Sequence, residues 1–326
     1  MTRNNNVLID FQPDKTDMRV HYCNALIEEA GRNDKILVID VDTSSSMGTK
    51  PFYKEYPDRA INCGIMEAHA AGMAAGLSAT GYVPYLHAFG TFASRRVYDQ
   101  LFLSCAYQDL NVKIIGADAG VAATSNGGTH MPFEDMGIIR NIPGMIVFEP
   151  ADAVMLPYAV RYMAETYGNF YMRYVRRKTM RIYDEKAEFS IGKANVLREG
   201  NSIAIIACGI MVYESLRAAQ MLAEEGINAM VIDMHTIKPI DSQAVIDAAK
   251  CCGAIVTAEN HNIVNGLGSA VSEVVCENFP IPLERVGVND TFGEVGTQDY
   301  LMEKYGLTAR DICIKAKRAI GRRRGM

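Results

Sequence analysis

The sequence contains no tryptophan, no cysteine pair spaced as CxxC and no apolar run approaching the length of a membrane span. Crossing a bilayer takes about 18 or more consecutive apolar residues, so an integral helical membrane protein is excluded. The opening stretch MTRNNNVLIDFQPDK lacks the apolar core and small-residue cleavage site of a secretory signal. The eight cysteines (Cys23, Cys63, Cys105, Cys208, Cys251, Cys252, Cys276 and Cys313) are scattered along the chain, several inside apolar stretches. They read as reduced, mostly buried thiols of a cytoplasmic protein, with neither a disulfide framework nor a zinc site. There is no excess of positive charge: 33 Lys and Arg stand against 38 Asp and Glu, a net −5. That excludes a globally basic nucleic-acid binder. GxxxxGK[ST] and HExxH are missing, and no His, Cys and carboxylate cluster has ligand spacing, so no complete metal site is expected in this chain. The nearest approach to GxGxxG is Gly266-Leu-Gly268 in NGLGSAV, which lacks the third glycine and reads as a tight loop entering a helix.

What is present is ordinary globular material: 326 residues, 49% hydrophobic and 22% charged, enough for two cores at about 100–200 residues per domain. Short β-branched runs at 35–42, 112–118, 144–150 and 169–175 are nearly all apolar, not alternating, as in strands covered on both faces. Helical patterns at 17–32, 67–80, 94–106 and 151–168 separate them. A charged stretch without periodicity follows, and then a second alternating series from 201 to 288 and two closing helices. The fold class is therefore α/β, two doubly wound domains with mostly parallel sheets. The expected division is 1–180, a linker at 181–192, and 193–326. Asp152 and Asp241 are expected helix N-caps and Gly226 a helix stop. The basic end, KAKRAIGRRRGM, reads as the solvated end of the last helix, where cations suit the dipole.

Four segments carry chemistry. Glu67 opens a helix of Ala, Gly, Met and Leu that is apolar on nearly every face and so expected to be buried. A carboxyl there can share a proton with a heterocyclic nitrogen; it reads equally as an acid placed to suit the helix dipole. The segment His87-Ala-Phe89-Gly-Thr-Phe92-Ala-Ser-Arg95-Arg96-Val-Tyr-Asp99 follows a strand, where a parallel sheet builds its ligand crevice. Its two phenyl rings suit the wall of a planar ligand, or simply a core. The long loop from Asp118 through Asn126 to His130 is rich in Gly, Ala, Ser and Thr and leaves another strand end. Last, Arg173, Arg176, Arg177 and Lys178 put four cations at a strand end, suiting a phosphate or a solvated basic edge.

These motifs occur together and in order. With DVDTSSSMGTKPFYKEYPDRAINCGIMEAHAAGMAAGLS, HAFGTFASRRVYDQ, SNGGTHMPFED, YMRYVRRK, HTIKPID and TAENHNIVNGLGSAVSE, the chain resembles the C-terminal half of a transketolase over essentially residues 10–320. More narrowly it is similar to the separate C-terminal subunit of a split transketolase, with deoxyxylulose-phosphate synthase related. The resemblance implies a pyrimidine-binding domain followed by the transketolase C-terminal domain. The family's diphosphate- and Mg²⁺-binding domain, with its GDG motif, is not matched. Thiamine diphosphate would then be held by its pyrimidine end here, with Mg²⁺ on a separate N-terminal partner subunit, in an α2β2 assembly.

By the same resemblance, Glu67 bonds the pyrimidine ring nitrogen, Phe92 stacks on that ring with Phe89 beside it, and Asp42 lies near the cofactor. His130 contacts substrate. Arg176 clamps a sugar phosphate, with Ser46 near it. Arg95 and Asp99 follow the deoxyxylulose-phosphate synthase pattern; ordinary transketolases carry an aromatic where Arg95 stands. Asn126 replaces an Asp that contacts a sugar hydroxyl, and a His expected near Ala117 or Asp118 is absent, pointing to a branched or modified ketose phosphate. The implied reaction moves a two-carbon ketol unit from a ketose phosphate to an aldose phosphate. Two other readings stay open: a beta subunit of a 2-oxo acid dehydrogenase-type decarboxylase, and a non-catalytic regulatory subunit.

Overall fold

The computed structural model describes residues 2–3, 6–8 and 10–323. The chain begins with a two-residue strand, β1 (Thr2–Arg3), and runs on through α1 (Met18–Arg32), β2 (Ile36–Asp40), α2 (Ser44–Met47), α3 (Lys50–Glu55), β3 (Ala60–Asn62), α4 (Glu67–Ala79) and β4 (Val83–Phe89). Then come β5 (Lys113–Ala117), α5 (Asp135–Ile139), β6 (Ile146–Phe148), α6 (Leu156–Glu165) and β7 (Phe170–Tyr174). The second unit holds β8 (Asn195–Arg198), β9 (Ile203–Ala207), α7 (Met211–Glu224), β10 (Ala229–Asp233), β11 (Thr236–Lys238), α8 (Ser242–Cys252), β12 (Ile255–Asn262), α9 (Leu267–Asn278), β13 (Leu283–Val288), α10 (Gln298–Lys304) and α11 (Ala309–Gly321).

Two sheets result, ordered β11-β6-β7-β5-β4-β2-β3 and β1-β8-β10-β9-β12-β13. Of the strands read as nearly all-apolar runs, β2, β5 and β7 are buried at every position, and β6 at two of its three, because helices cover both faces. All pairings of the first sheet are parallel except β11 on β6. The units exchange edges: β11 comes from the second half to the first sheet, and β1 pairs with β8 of the second. No helix among the described residues is long and apolar enough to cross a membrane.

The expected caps are made. Asp241 accepts from Ala244 N–H at the start of α8, and Gly226, at φ +79°, follows the end of α7. Asp152 accepts from Val154 N–H at a 3₁₀ turn ahead of α6, and its other oxygen takes the N–H groups of Ile182 and Tyr183, pinning the segment after residue 180. In NGLGSAV, the N–H groups of Leu267 and Gly268 are taken by the carboxylate of Glu259, so the helix N-terminus is occupied by the chain's own anion. The basic end is tied down as far as it is described: Lys315, Arg318 and Arg322 all reach Glu284. Residues 324–326 lie outside the described residues.

Two expectations need correcting. The stretch 94–106 is not one α-helix but a 3₁₀ turn at Arg95–Val97 followed by π-helical turns at Gln100–Ala106. Ser94 Oγ donates to the carbonyls of Gly90 and Thr91, competing with regular helix at its start. And α4 is not buried all round: Ala70, Ala71, Ala74 and Ala75 face the core, whereas His69, Gly72 and Gly76 lie on an exposed face.

A buried carboxyl yields a pH prediction. Asp233 accepts from Tyr183 Oη through one oxygen, while Oδ1 has no partner. Burial pushes its pKa from 3.8 up to about 8. The folded chain thus holds a proton that the unfolded chain has released over roughly pH 4–8, so wild-type stability is eroded as pH rises through that window. Asp233→Asn removes this dependence. Its melting temperature relative to wild type is expected to climb steadily between pH 5 and pH 8 in paired thermal melts; a constant difference would refute the assignment.

Candidate active site

The carboxyl ends of four adjacent strands, β7, β5, β4 and β2, line one rim of the first sheet, where a parallel sheet binds ligands. Phe89, the last residue of β4, and Phe92, just beyond it, lie with ring centroids 6.3 Å apart. The loop after β5 brings His130 edge-on to both rings, at 5.6 Å and 5.1 Å. That loop is held by tight backbone contacts. A Cβ on Gly120 would sit 2.0 Å from Asn260 Oδ1, and one on Gly128 2.4 Å from the carbonyl of Gly293. The second unit therefore buttresses the loop, also through Gly296 N–H to the Thr124 carbonyl.

Glu67 is the first residue of α4 and only 4% exposed. Its Oε1 accepts from Arg96 Nη1 at 2.7 Å, and the Arg96 guanidinium carbon lies 4.2 Å over the Phe92 ring. A flat hydrogen-bond donor thus fits between the carboxyl and the phenyl face. Burial pushes the His130 pKa below its usual value; Arg96 and Arg176 add to this and Asp118 opposes it. Around neutral pH the imidazole is therefore uncharged, with Nδ1 bonded to Thr129 Oγ1 at 2.9 Å.

Beside the rings lies a cationic cleft. Arg176 stacks 4.9 Å over Phe89, pairs through two nitrogens with Asp118 and donates to the Ser46 carbonyl at 3.1 Å. Arg19 donates to the same carbonyl, also at 3.1 Å. A cavity of about 480 Å³ is lined by Asp17, Arg19, Arg176, Arg177, Lys178 and Gln298. Sequence reasoning misses Arg19: a lone arginine near the start of an amphipathic helix carries no signal until the fold sets it against Ser46.

The structure therefore gathers Glu67, Phe89, Phe92, His130 and Arg176, with the Ser46 backbone, into one region. Other residues are placed apart from this contact set. Arg95 ion-pairs with Glu134 at 2.9 Å. Asn126 is exposed on its loop, accepting from Ser125 Oγ. Asp42 is exposed just past the end of β2, its N–H bonded to Asn62. One reading of the four cations is corrected: Arg173 does not face the cleft. It points inward from β7, fully buried, to Asp135 and Glu149. Arg173 lies within β7, which is buried at every position, whereas Arg176, Arg177 and Lys178 follow the strand's carboxyl end, so one basic run is split between core and rim.

Comparison with known proteins agrees with this architecture. The pyrimidine binding domain of transketolase matches residues 14–181, and the transketolase C-terminal domain matches 192–312. The chain belongs to the transketolase family. It is 50% identical over 295 residues, 90% of this chain and 92% of the relative, to the 6-deoxy-6-sulfo-D-fructose transketolase subunit SqwH of a Clostridium species. It is 35% identical to an apulose-4-phosphate transketolase subunit of Phocaeicola vulgatus, covering 90% of this chain and 95% of that one. Among solved structures it is similar to a split gene transketolase described as an inactive beta4 tetramer, with 42% identity and a TM-score of 0.87 over 94% of this chain and 99% of that one. It carries the pyrimidine-binding and C-terminal domains of that family and is similar along most of its length to subunits of split transketolases.

Proposed function

We propose that this chain is the C-terminal subunit of a thiamine diphosphate-dependent transketolase, completed by a separate N-terminal subunit that holds the diphosphate and Mg²⁺. The observation that carries this is the slot between Glu67 and Phe92, which already accepts a flat donor group. When bound, the cofactor supplies a nucleophilic ring carbon and an electron sink. This chain's residues do the rest. Glu67 holds and exchanges a proton at the pyrimidine nitrogen from a site almost out of water. Phe92 stacks on the ring, Phe89 walls it, and Asp42 stands at the cofactor side of the rim. His130, uncharged, gives or takes a hydrogen bond at a reacting sugar oxygen, and Asn126 meets a sugar hydroxyl.

Arg176 grips the anionic end of the sugar, with Arg19, Arg177 and Lys178 lining the same cleft and the Ser46 carbonyl holding Arg19 and Arg176 in place; Arg95 would reach that anion only by leaving its ion pair with Glu134. The relatives named above act on a sulfo sugar and a sugar phosphate, so the anion is a terminal phosphate or sulfonate. A guanidinium fork pairs bidentately with either. The exposed apolar pair Ile65 (73%) and Met66 (55%), directly before Glu67, and the open small-residue face of α4 suit cover by other subunits in an α2β2 assembly.

Calorimetric titration of thiamine diphosphate with Mg²⁺ tests this. Binding is expected only when the chain is mixed with its N-terminal subunit. Tight binding by the chain alone would overturn the shared site, and none in the mixture would overturn the cofactor reading.

A further inference from the structure

Resting on the functional reading above, the cofactor's ring must lie on Phe92 and hydrogen-bond to Glu67. In this structure the guanidinium of Arg96 does both. We infer that Arg96 is a displaceable stand-in for the cofactor ring, holding the slot closed until the ring pushes it out. A guanidinium and an aminopyrimidine share what the slot selects: a flat, delocalised π-system with N–H donors at its edge. The geometry makes displacement feasible. Arg96 is four residues beyond Phe92, so its side chain folds back over a ring on its own turn. Its side chain is 47% exposed, whereas that of Glu67 is 4% exposed, so the cation can swing to solvent while the carboxyl stays.

The arrangement also explains how a buried carboxylate is tolerated without ligand. A desolvated carboxylate with no partner is strongly disfavoured, and Arg96 is the cation paired with it. Arg96 likewise covers the face of Phe92 that a bound ring would otherwise cover. The consequence is a tax on binding: apparent affinity falls by the fraction of molecules whose slot is open. An ion pair and a cation–π contact to a half-exposed arginine are each modest, and together they favour the closed slot by about five- to tenfold.

The test is made on the assembled complex with Mg²⁺, comparing wild type with Arg96→Ala and Arg96→Lys. Thiamine diphosphate affinity is measured by calorimetry and its association and dissociation rates by stopped flow. Arg96→Ala is expected to tighten binding by about five- to tenfold, through faster association with unchanged dissociation. Arg96→Lys, which keeps the charge but not the plane, should fall between. If wild type binds and Arg96→Ala binds equally or more weakly, the stand-in is overturned and Arg96 is inert or a direct ligand. If neither complex binds thiamine diphosphate, the functional reading itself fails and the stand-in with it. Arg96→Met, which keeps the aliphatic stem, provides the same comparison should the alanine variant fail to assemble.

Discussion

Replacing Glu67 by glutamine is expected to lower the turnover of the assembled enzyme by about 10²–10⁴-fold, the range in which a positioned acid–base group contributes. Glutamine has the same shape and can still hydrogen-bond to a ring nitrogen, so the cofactor should remain bound. What it cannot do is take up and return a proton. The loss should be equal for a ketose donor ending in phosphate and one ending in sulfonate, because Glu67 faces the ring slot and not the cationic cleft. Steady-state assays with both donors, alongside calorimetry of the cofactor, separate these effects. Turnover within about threefold of wild type would take Glu67 out of the proton path.

Much of this site was legible because its parts are local. Glu67, Phe92, His130 and Arg176 each sit in a short motif next to a strand end or helix start, and strand order brings those ends together. The central strands were legible because burial on both faces leaves runs that are nearly all apolar. What escaped depends on tertiary contact. Arg19 acquires meaning only when α1 lies beside Ser46. Arg96 stands inside a motif singled out for its phenyl rings, but its bond to Glu67 joins residues 29 apart. The strands β3 and β11, three residues each, are too short to show a period, and β11 takes its pairing from β6 far away in sequence. The 94–106 stretch keeps a helical pattern, but its backbone takes a 3₁₀ turn and then π-helical turns, with Ser94 bonded back to the Gly90 and Thr91 carbonyls at its start.

Arg173→Met is the substitution expected to cost most stability, about 3–5 kcal/mol, the usual penalty for removing one partner of a buried ion pair. Arg173 donates to Asp135 Oδ1 at 2.8 Å, Glu149 Oε2 at 3.0 Å and the Asn260 carbonyl at 2.9 Å, with no exposure to solvent. Methionine matches the stem but abandons two buried carboxylates. Glu149 already has its pKa raised by burial, with Arg173 working against that rise. Without the arginine the pKa climbs further, so the folded variant holds a proton that the unfolded chain releases. The penalty should therefore be larger at pH 8 than at pH 5, and Glu149→Gln in the same chain should recover part of it. Urea unfolding at both pH values checks this; a loss under about 1 kcal/mol, or one indifferent to pH, would refute it. The functional consequence follows from Asn260, whose backbone takes Arg173 while its side chain accepts from Val121 N–H and donates to the Ala119 carbonyl. The loop that presents His130 thus starts on a clamp shared by both units. Loosening Arg173 should raise KM in the assembled enzyme even at temperatures where the variant remains folded.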